Sequence, residues 1–360
     1  MQVAFIGTRG VPARYSGFET CVQEVGRRMA AAGHDVTVFC RSAYYADRLT
    51  TYEGMRLIYL PAIKQKHLET LSHTAFSLLR LPKTCAVICM GVGNAPLVRL
   101  FEALTRRRLI FNVDGADWQR EKWEAPARAY LQRCEGLAAT SSSVLVADAR
   151  VVHDYFNQKF GRVTEIVAYG AYPPVETGTD VLARFRLRPR QYLLYVGRLV
   201  PENGAHDFLE GAARSGLELP AVVVGDAPYA RAYITALHAG AASTVVFTGY
   251  QFGIPYQQLT SHAGVFVLAA TVGGTHPVLL EQMAAGNCIL ARLTDSNVEV
   301  LGESGLFWRT PGELADLLRA VWADPERRRA LGNAARERAT RLYDWNNVTE
   351  QYLKLCRQIA

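Results

Sequence analysis

The chain has 360 residues, 49% of them hydrophobic and 20% charged, which is enough apolar material for two cores and too much for a disordered chain. A net charge of +7 favours an acidic partner such as a phosphate-bearing ligand or an anionic membrane surface, whereas nucleic acid is disfavoured because no recognition motif accompanies the charge. The seven cysteines are odd in number and scattered through apolar stretches, which speaks against a disulfide framework and for reduced thiols in a cytoplasm; no apolar run reaches the about 18 residues of a membrane span, and no signal peptide is expected because Met1 leads straight into a strand.

MQVAFIG (1–7) reads as a buried strand, TRGVPARYSG as a loop, and Phe18 to about Ala32 as a helix with apolar residues Phe18, Cys21, Val22, Val25 and Met29 at helical spacing. Gly33 closes that helix and HDVTVFCR supplies the second strand. This is a Rossmann-like opening without the G-x-G-x-x-G spacing, so a nicotinamide or flavin site is disfavoured. In the loop, Arg9 and Arg14 can meet a phosphate or an acceptor. Ser16 and Glu19 have capping-box spacing, and Glu19 is equally open to a ligand-facing role.

MRLIYLPAI (55–63) is a third strand. Lys64–Lys83 mixes basic and apolar residues; it fits a helix packed on the sheet with basic ends, and also a membrane-surface segment that brings in a lipid-borne substrate. TCAVICMG and RRRLIFNVDG supply two more strands, with Arg106, Arg107 and Arg108 compensating a helix dipole. NVDGADWQREKW (112–123) then crowds polar and aromatic residues where a parallel sheet presents its carboxyl ends, and Asp114 at the tip can orient or deprotonate a hydroxyl. A helix near Ala125–Cys134, a strand LAATS, a Ser-capped helix Ser143–Phe156 and a strand VTEIVAYGA are expected to complete the first half.

YGAYPPVETGTD (169–180) reads as an interdomain linker, after which a second alternating series begins with strands QYLLYVG, PAVVVGD, TVVFTGY, GVFVLAA and NCILAR. Two such series imply two parallel sheets with a cleft between them. Arg198 follows a strand, where its fork of donors can hold a diphosphate. In TVGGTHPVLLEQMAAG (271–286), Gly273 and Gly274 permit a tight turn, Pro277 suits the first position of a helix, and the amides at that helix start suit an anion. Glu281, about one turn in, can accept from a ribose diol; an ordinary strand–loop–helix unit with a solvated Glu281 fits the spacing equally. The last segment, DWNNVTEQYLKLCRQI, is an amphipathic helix with no strand after it, free to pack back across the domains.

Four stretches in order, IGTRGVPARYSGFET, VDGADWQREKW, GRLVPENG and VGGTHPVLLEQMAAG, resemble the GT-B-fold retaining glycosyltransferases of family 4, in particular a bacterial rhamnosyltransferase-like branch, and the likeness runs nearly end to end. The resemblance implies an N-terminal acceptor-binding domain over 1–170, a nucleotide-sugar donor domain over 171–342, and a helix over 343–360 packing back on the first. It implies that Arg198 holds the donor diphosphate and Glu281 the ribose. Asn203 stands where a lysine is usual, and Gly273 where the first glutamate of the paired motif is usual. The group facing the sugar then comes from the backbone of Gly274, Thr275 and His276. Asp114 stands where relatives often carry histidine. The first loop, with Arg9, Gly10, Ser16, Gly17 and Glu19, approaches the donor phosphates or the acceptor, and Tyr250 lies near the base.

The implied reaction moves a sugar, rhamnose in that branch, from a nucleotide diphosphate to a polysaccharide or lipid-linked glycan, at the inner face of a membrane, without metal or cofactor. A nucleotide-sugar epimerase and a non-catalytic nucleotide-sugar-binding subunit remain alternatives.

Overall fold

The computed structural model describes residues 1–13, 17–65, 68–113, 118, 124–174 and 178–359. They form two compact units, one of Met1–Gly170 with Trp345–Ala360 and the other of Ala171–Asp344.

The first unit is built on β1 (Gln2–Ile6), β2 (Asp35–Arg41), β3 (Thr51–Tyr52), β4 (Met55–Leu60), β5 (Ala86–Met90), β6 (Ile110–Asn112), β7 (Val144–Ala147) and β8 (Glu165–Ile166), in the order β3-β4-β2-β1-β5-β6-β7-β8. All pairs are parallel except β3 with β4. A parallel sheet is covered on both faces, so its central strands are apolar at every position rather than at alternate ones. Ala86–Met90 shows this, with all five residues buried.

The second unit contains β9 (Leu193–Val196), β10 (Ala221–Val224), β11 (Val245–Gly249), β12 (Val265–Leu268), β13 (Cys288–Arg292) and β14 (Leu306–Trp308), ordered β11-β10-β9-β12-β13-β14 and parallel throughout. In each sheet the chain winds outward from a central pair, β1 beside β5 in one and β9 beside β12 in the other. At such a switch point the connections leave in opposite directions, and a crevice opens beyond the strand ends. The terminal helix Trp345–Ile359 crosses back to the first unit, burying Trp345, Val348, Tyr352, Leu353, Leu355 and Cys356, while Tyr352 accepts a hydrogen bond from Asn112 Nδ2 at 3.0 Å.

Several expected elements shift. LAATS is not a strand: the helix runs over Ala125–Ala139, because Leu131, Cys134, Glu135 and Ala138 bury one helical face. The strand lies later, at Val144–Ala147, and Ser143 caps no helix; its hydroxyl accepts from the Leu109 amide at 2.9 Å. The next helix starts at Arg150 and ends at Phe160. Of VTEIVAYGA, Glu165–Ile166 form the edge strand and Ala171 an isolated parallel bridge with Asp344, and MRLIYLPAI stops as a strand at Leu60, before a proline that lacks the donor to continue the ladder. Of the basic segment, Glu69–Leu79 is helical, with His73, Thr74 and Ser77 buried and Phe76 and Leu79 exposed. All seven cysteines are buried and unpaired with one another.

Candidate functional site

The central switch point of the second unit gathers most of the expected residues. Arg198 lies in the turn after β9, and Gly273–His276 in the turn after β12, its neighbour. The two turns are tied together, since Thr271 donates both its amide and its hydroxyl to the Glu202 carbonyl, at 3.0 and 3.1 Å. Their approach is close enough that a Cβ on Gly204 would lie 2.5 Å from the Ala269 carbonyl oxygen, and the φ of +68° there already favours glycine.

Arg198 is half-buried, and no carboxylate or carbonyl among the described residues pairs with its guanidinium. Asn203, which replaces the expected lysine, does not reach outward. Its Nδ2 donates to the Arg198 carbonyl at 2.9 Å and its own carbonyl accepts from Tyr195 Oη at 3.1 Å, so it closes the turn that carries Arg198.

The glycine turn is equally determined. Gly273 has φ +142°, and a Cβ there would sit 2.8 Å from Cε1 of His276. The imidazole therefore occupies the space that a side chain at 273 would need. Ser296 Oγ donates to the Gly273 carbonyl at 2.8 Å and fixes the turn from β13's side. Gly274 and Thr275 are buried, and the helix Pro277–Ala284 begins at His276 without a side-chain cap, its dipole directed at the turn.

Glu281, on that helix, is half-buried rather than solvated. Burial pushes its carboxyl above the usual range, and a hydrogen bond from Tyr256 Oη to Oε2 pulls it part of the way back. Tyr256 was not among the residues expected from the sequence. It stands 25 positions before its partner, on the helix Ile254–Ser261, and no spacing rule links the two. Tyr250 follows β11, two strands out from β9. It is 46% exposed and stacks on Phe252, with ring centroids 5.7 Å apart.

In the first unit, the turn after β1 is shaped by the helix behind it. Glu19 is buried and takes the Arg9 amide on Oε1 at 3.0 Å, and Gln23 takes the Ala13 amide at 2.9 Å. Glu19 thus supports the turn. Gly10 has φ +114° and lies against Cys40, where a Cβ would meet Sγ at 2.5 Å. The Arg9 guanidinium lies over the Tyr44 ring, 4.3 Å from its centroid, and Gly17 begins the helix. Asp114, Arg14 and Ser16 lie outside the described residues. Among the described residues, no cluster of His, Cys, Asp and Glu is arranged to hold a metal ion, and no helix is long and apolar enough to cross a membrane.

Two family models match the chain consecutively: "Glycosyl transferase 4-like domain" over residues 16–171 and "Glycosyl transferases group 1" over 190–324. The chain is 28% identical over 208 residues to alpha-maltose-1-phosphate synthase of Mycolicibacterium smegmatis, covering 52% of this chain and 54% of that protein. It is 27% identical over 191 residues to alpha-D-kanosaminyltransferase of Streptomyces kanamyceticus, covering 50% and 49%. It thus spans about half the length of these two relatives. With phosphatidyl-myo-inositol mannosyltransferase of Mycobacterium tuberculosis it shares 24% identity over 387 aligned positions, covering 96% and 93%.

Among solved structures, sucrose-phosphate synthase from Thermosynechococcus elongatus superposes with a TM-score of 0.83 at 20% identity, over 99% of this chain and 98% of that one. Anabaena HepE in complex with UDP and glucose superposes with a TM-score of 0.81 at 17% identity, over 98% of each chain. These likenesses give the chain the GT-B fold of two Rossmann-like domains.

Proposed function

From the premise that this chain belongs to the GT4-like glycosyltransferases, we propose that it transfers a sugar from a nucleotide diphosphate to a glycan or lipid-linked acceptor with retention of anomeric configuration. The observation that carries this reading is the coupling of the Arg198 turn to the glycine turn through Thr271 and Glu202, at the switch point of the second sheet. The two coupled turns carry the Arg198 guanidinium and the start of the helix Pro277–Ala284, and a diphosphate suits both.

As the glycosidic bond breaks, negative charge grows on the leaving diphosphate. Arg198 and the backbone of Gly274–His276 stabilise that charge, and the acceptor hydroxyl attacks from the face the diphosphate leaves. Asp114 orients or deprotonates the acceptor hydroxyl, and no covalent glycosyl-enzyme is invoked. Because the protein's own donors meet the diphosphate charge, the reaction is proposed to run without metal. The resemblance suggests rhamnose as the sugar. For the acceptor, the exposed Phe76 and Leu79, flanked by the exposed Lys64, Arg80 and Lys83, support delivery at an anionic membrane surface.

The test is Arg198→Ala, assayed by calorimetric binding of nucleoside diphosphates and by sugar transfer, both in EDTA and with added magnesium. Loss of about 1.5–3 kcal/mol of charge-assisted bonding predicts a fall in affinity of roughly 10- to 150-fold, with the unliganded melting temperature unchanged. Undiminished nucleotide binding in the variant overturns the placement of the diphosphate. Wild-type transfer that is abolished by EDTA and restored by magnesium overturns the metal-free reading.

A further inference from the structure

Two helices of the second unit are joined by a buried polar array that the proposed chemistry does not yet use. Arg190 donates to Asn287 Oδ1 at 3.0 Å, and Asn287 Nδ2 donates to Gln282 Oε1 at 2.7 Å and to the Thr260 carbonyl at 2.8 Å. Gln282 Nε2 donates in turn to Thr260 Oγ1 at 3.0 Å. Gln282, Thr260 and Asn287 are all at least 98% buried.

Tyr256 stands one helical turn before Thr260, on the same helix, and its hydroxyl donates to Glu281 Oε2. The array thus fixes the helix that carries Tyr256 against the helix that carries Glu281, and the Tyr256 hydroxyl holds one oxygen of Glu281. The other oxygen, Oε1, receives no hydrogen bond from any described residue. A half-buried carboxylate with one oxygen occupied and one unmet wants further donors, and no cation among the described residues supplies them.

We propose that Tyr256 is a positioning residue for the donor: by occupying Oε2 it presents Oε1 of Glu281 to the ribose hydroxyls, and so selects a ribonucleoside diphosphate over its 2′-deoxy counterpart. The proposal rests on Glu281 being the ribose acceptor of the site proposed above. A 2′-deoxyribose brings one donor fewer to an oxygen already removed from much of its water, and sites built to bind a hydroxyl reject analogues that lack it.

The experiment measures calorimetric binding of UDP, GDP, dUDP, dGDP and dTDP to the full chain, its Tyr256→Phe and Glu281→Gln variants, and the double variant. Wild type is expected to prefer the ribonucleotide at least about tenfold. Each single variant should fall towards parity, and the double variant should fall no further than Glu281→Gln alone. Tyr256→His, which keeps a ring-borne donor, should recover part of the preference.

A preference unchanged in Tyr256→Phe with an unchanged melting temperature overturns the inference, as does a wild type that favours the deoxynucleotides. Should Tyr256→Phe not fold, Glu281→Gln decides: retention of the preference there overturns the inference equally. A wild type that binds no nucleoside diphosphate overturns the reading of the site itself.

Discussion

His73 gives the first unit an acid-labile point whose size follows from its surroundings. It lies on the helix Glu69–Leu79 and is fully buried. Burial, reinforced by the nearby Arg41 guanidinium, lowers its pKa from 6.5 to about 4. Arg41 is itself buried, bonded to Thr70 Oγ1 at 2.9 Å and 3.6 Å from a Glu69 carboxylate oxygen, so it cannot swing away cheaply.

Between pH 4 and 6.5 the unfolded chain binds a proton at His73 that the folded chain refuses. Stability is therefore fully present above pH 6.5 and declines as the pH falls towards 4. At about 1.4 kcal/mol per pH unit, the loss across that window is about 3 kcal/mol. Urea unfolding at pH 7.5, 6.5, 5.5 and 4.5 should show this slope in wild type. His73→Leu should flatten it by about that amount, whatever its effect at neutral pH. Parallel losses in the two proteins would refute the assignment and move the acid sensitivity to a carboxylate such as Glu102, whose pKa is lowered.

Two further outcomes follow from the packing and the surface. Gly225 has φ +135° and a Cβ there would lie 1.9 Å from the Gly197 carbonyl oxygen, in the backbone that leads into Arg198; Gly216 has φ +67° with nothing within 4 Å. Gly225→Ala should lower stability by more than about 3 kcal/mol and weaken nucleotide binding, whereas Gly216→Ala should lower stability by about 1 kcal/mol and leave binding alone; equal effects in urea melts would contradict this steric reading. On the first unit, Leu79 is 82% and Phe76 40% exposed, so replacing both with serine should abolish co-sedimentation with anionic vesicles without lowering the melting temperature. If wild type stays in the supernatant, the membrane reading fails.

The alternation of strands and helices was legible in the sequence because parallel strands buried on both faces leave unbroken apolar runs such as AVICM and VFVL. It misled where composition is neutral between states. LAATS is apolar and bounded by turn-formers, like a strand, yet it continues a helix whose face is set by Leu131 and Cys134 further back. Leu306–Trp308 is three residues long and could not register as a strand by period at all. Of the proposed site, Arg198 and Glu281 could be put forward from their place after a strand and within a helix. Tyr256 and Glu202 could not, because each acts through contact with a residue far along the chain, and a single sequence carries no sign of such a contact.

The departure at Gly273 shows how far a residue-by-residue comparison reaches. Taken alone, glycine in place of an acidic residue suggests a lost function. In the fold, the position has φ +142°, where a side chain is strained, and the His276 ring stands 2.8 Å from where a Cβ would be. A glutamate at 273 would require both a different backbone turn and a displaced imidazole, and Ser296 holds that turn by its carbonyl. Gly273 and His276 are therefore one coupled arrangement: a polar ring occupies the space from which a carboxylate would otherwise emerge, beside the same helix start. In the donor site proposed above, the surface presented to a transferring sugar would then be made of imidazole and backbone rather than carboxylate. If the proposed site holds a diphosphate, glycine at 273 and asparagine at 203 leave it with one carboxylate and one ammonium fewer than the pattern the resemblance implies, two changes of opposite sign.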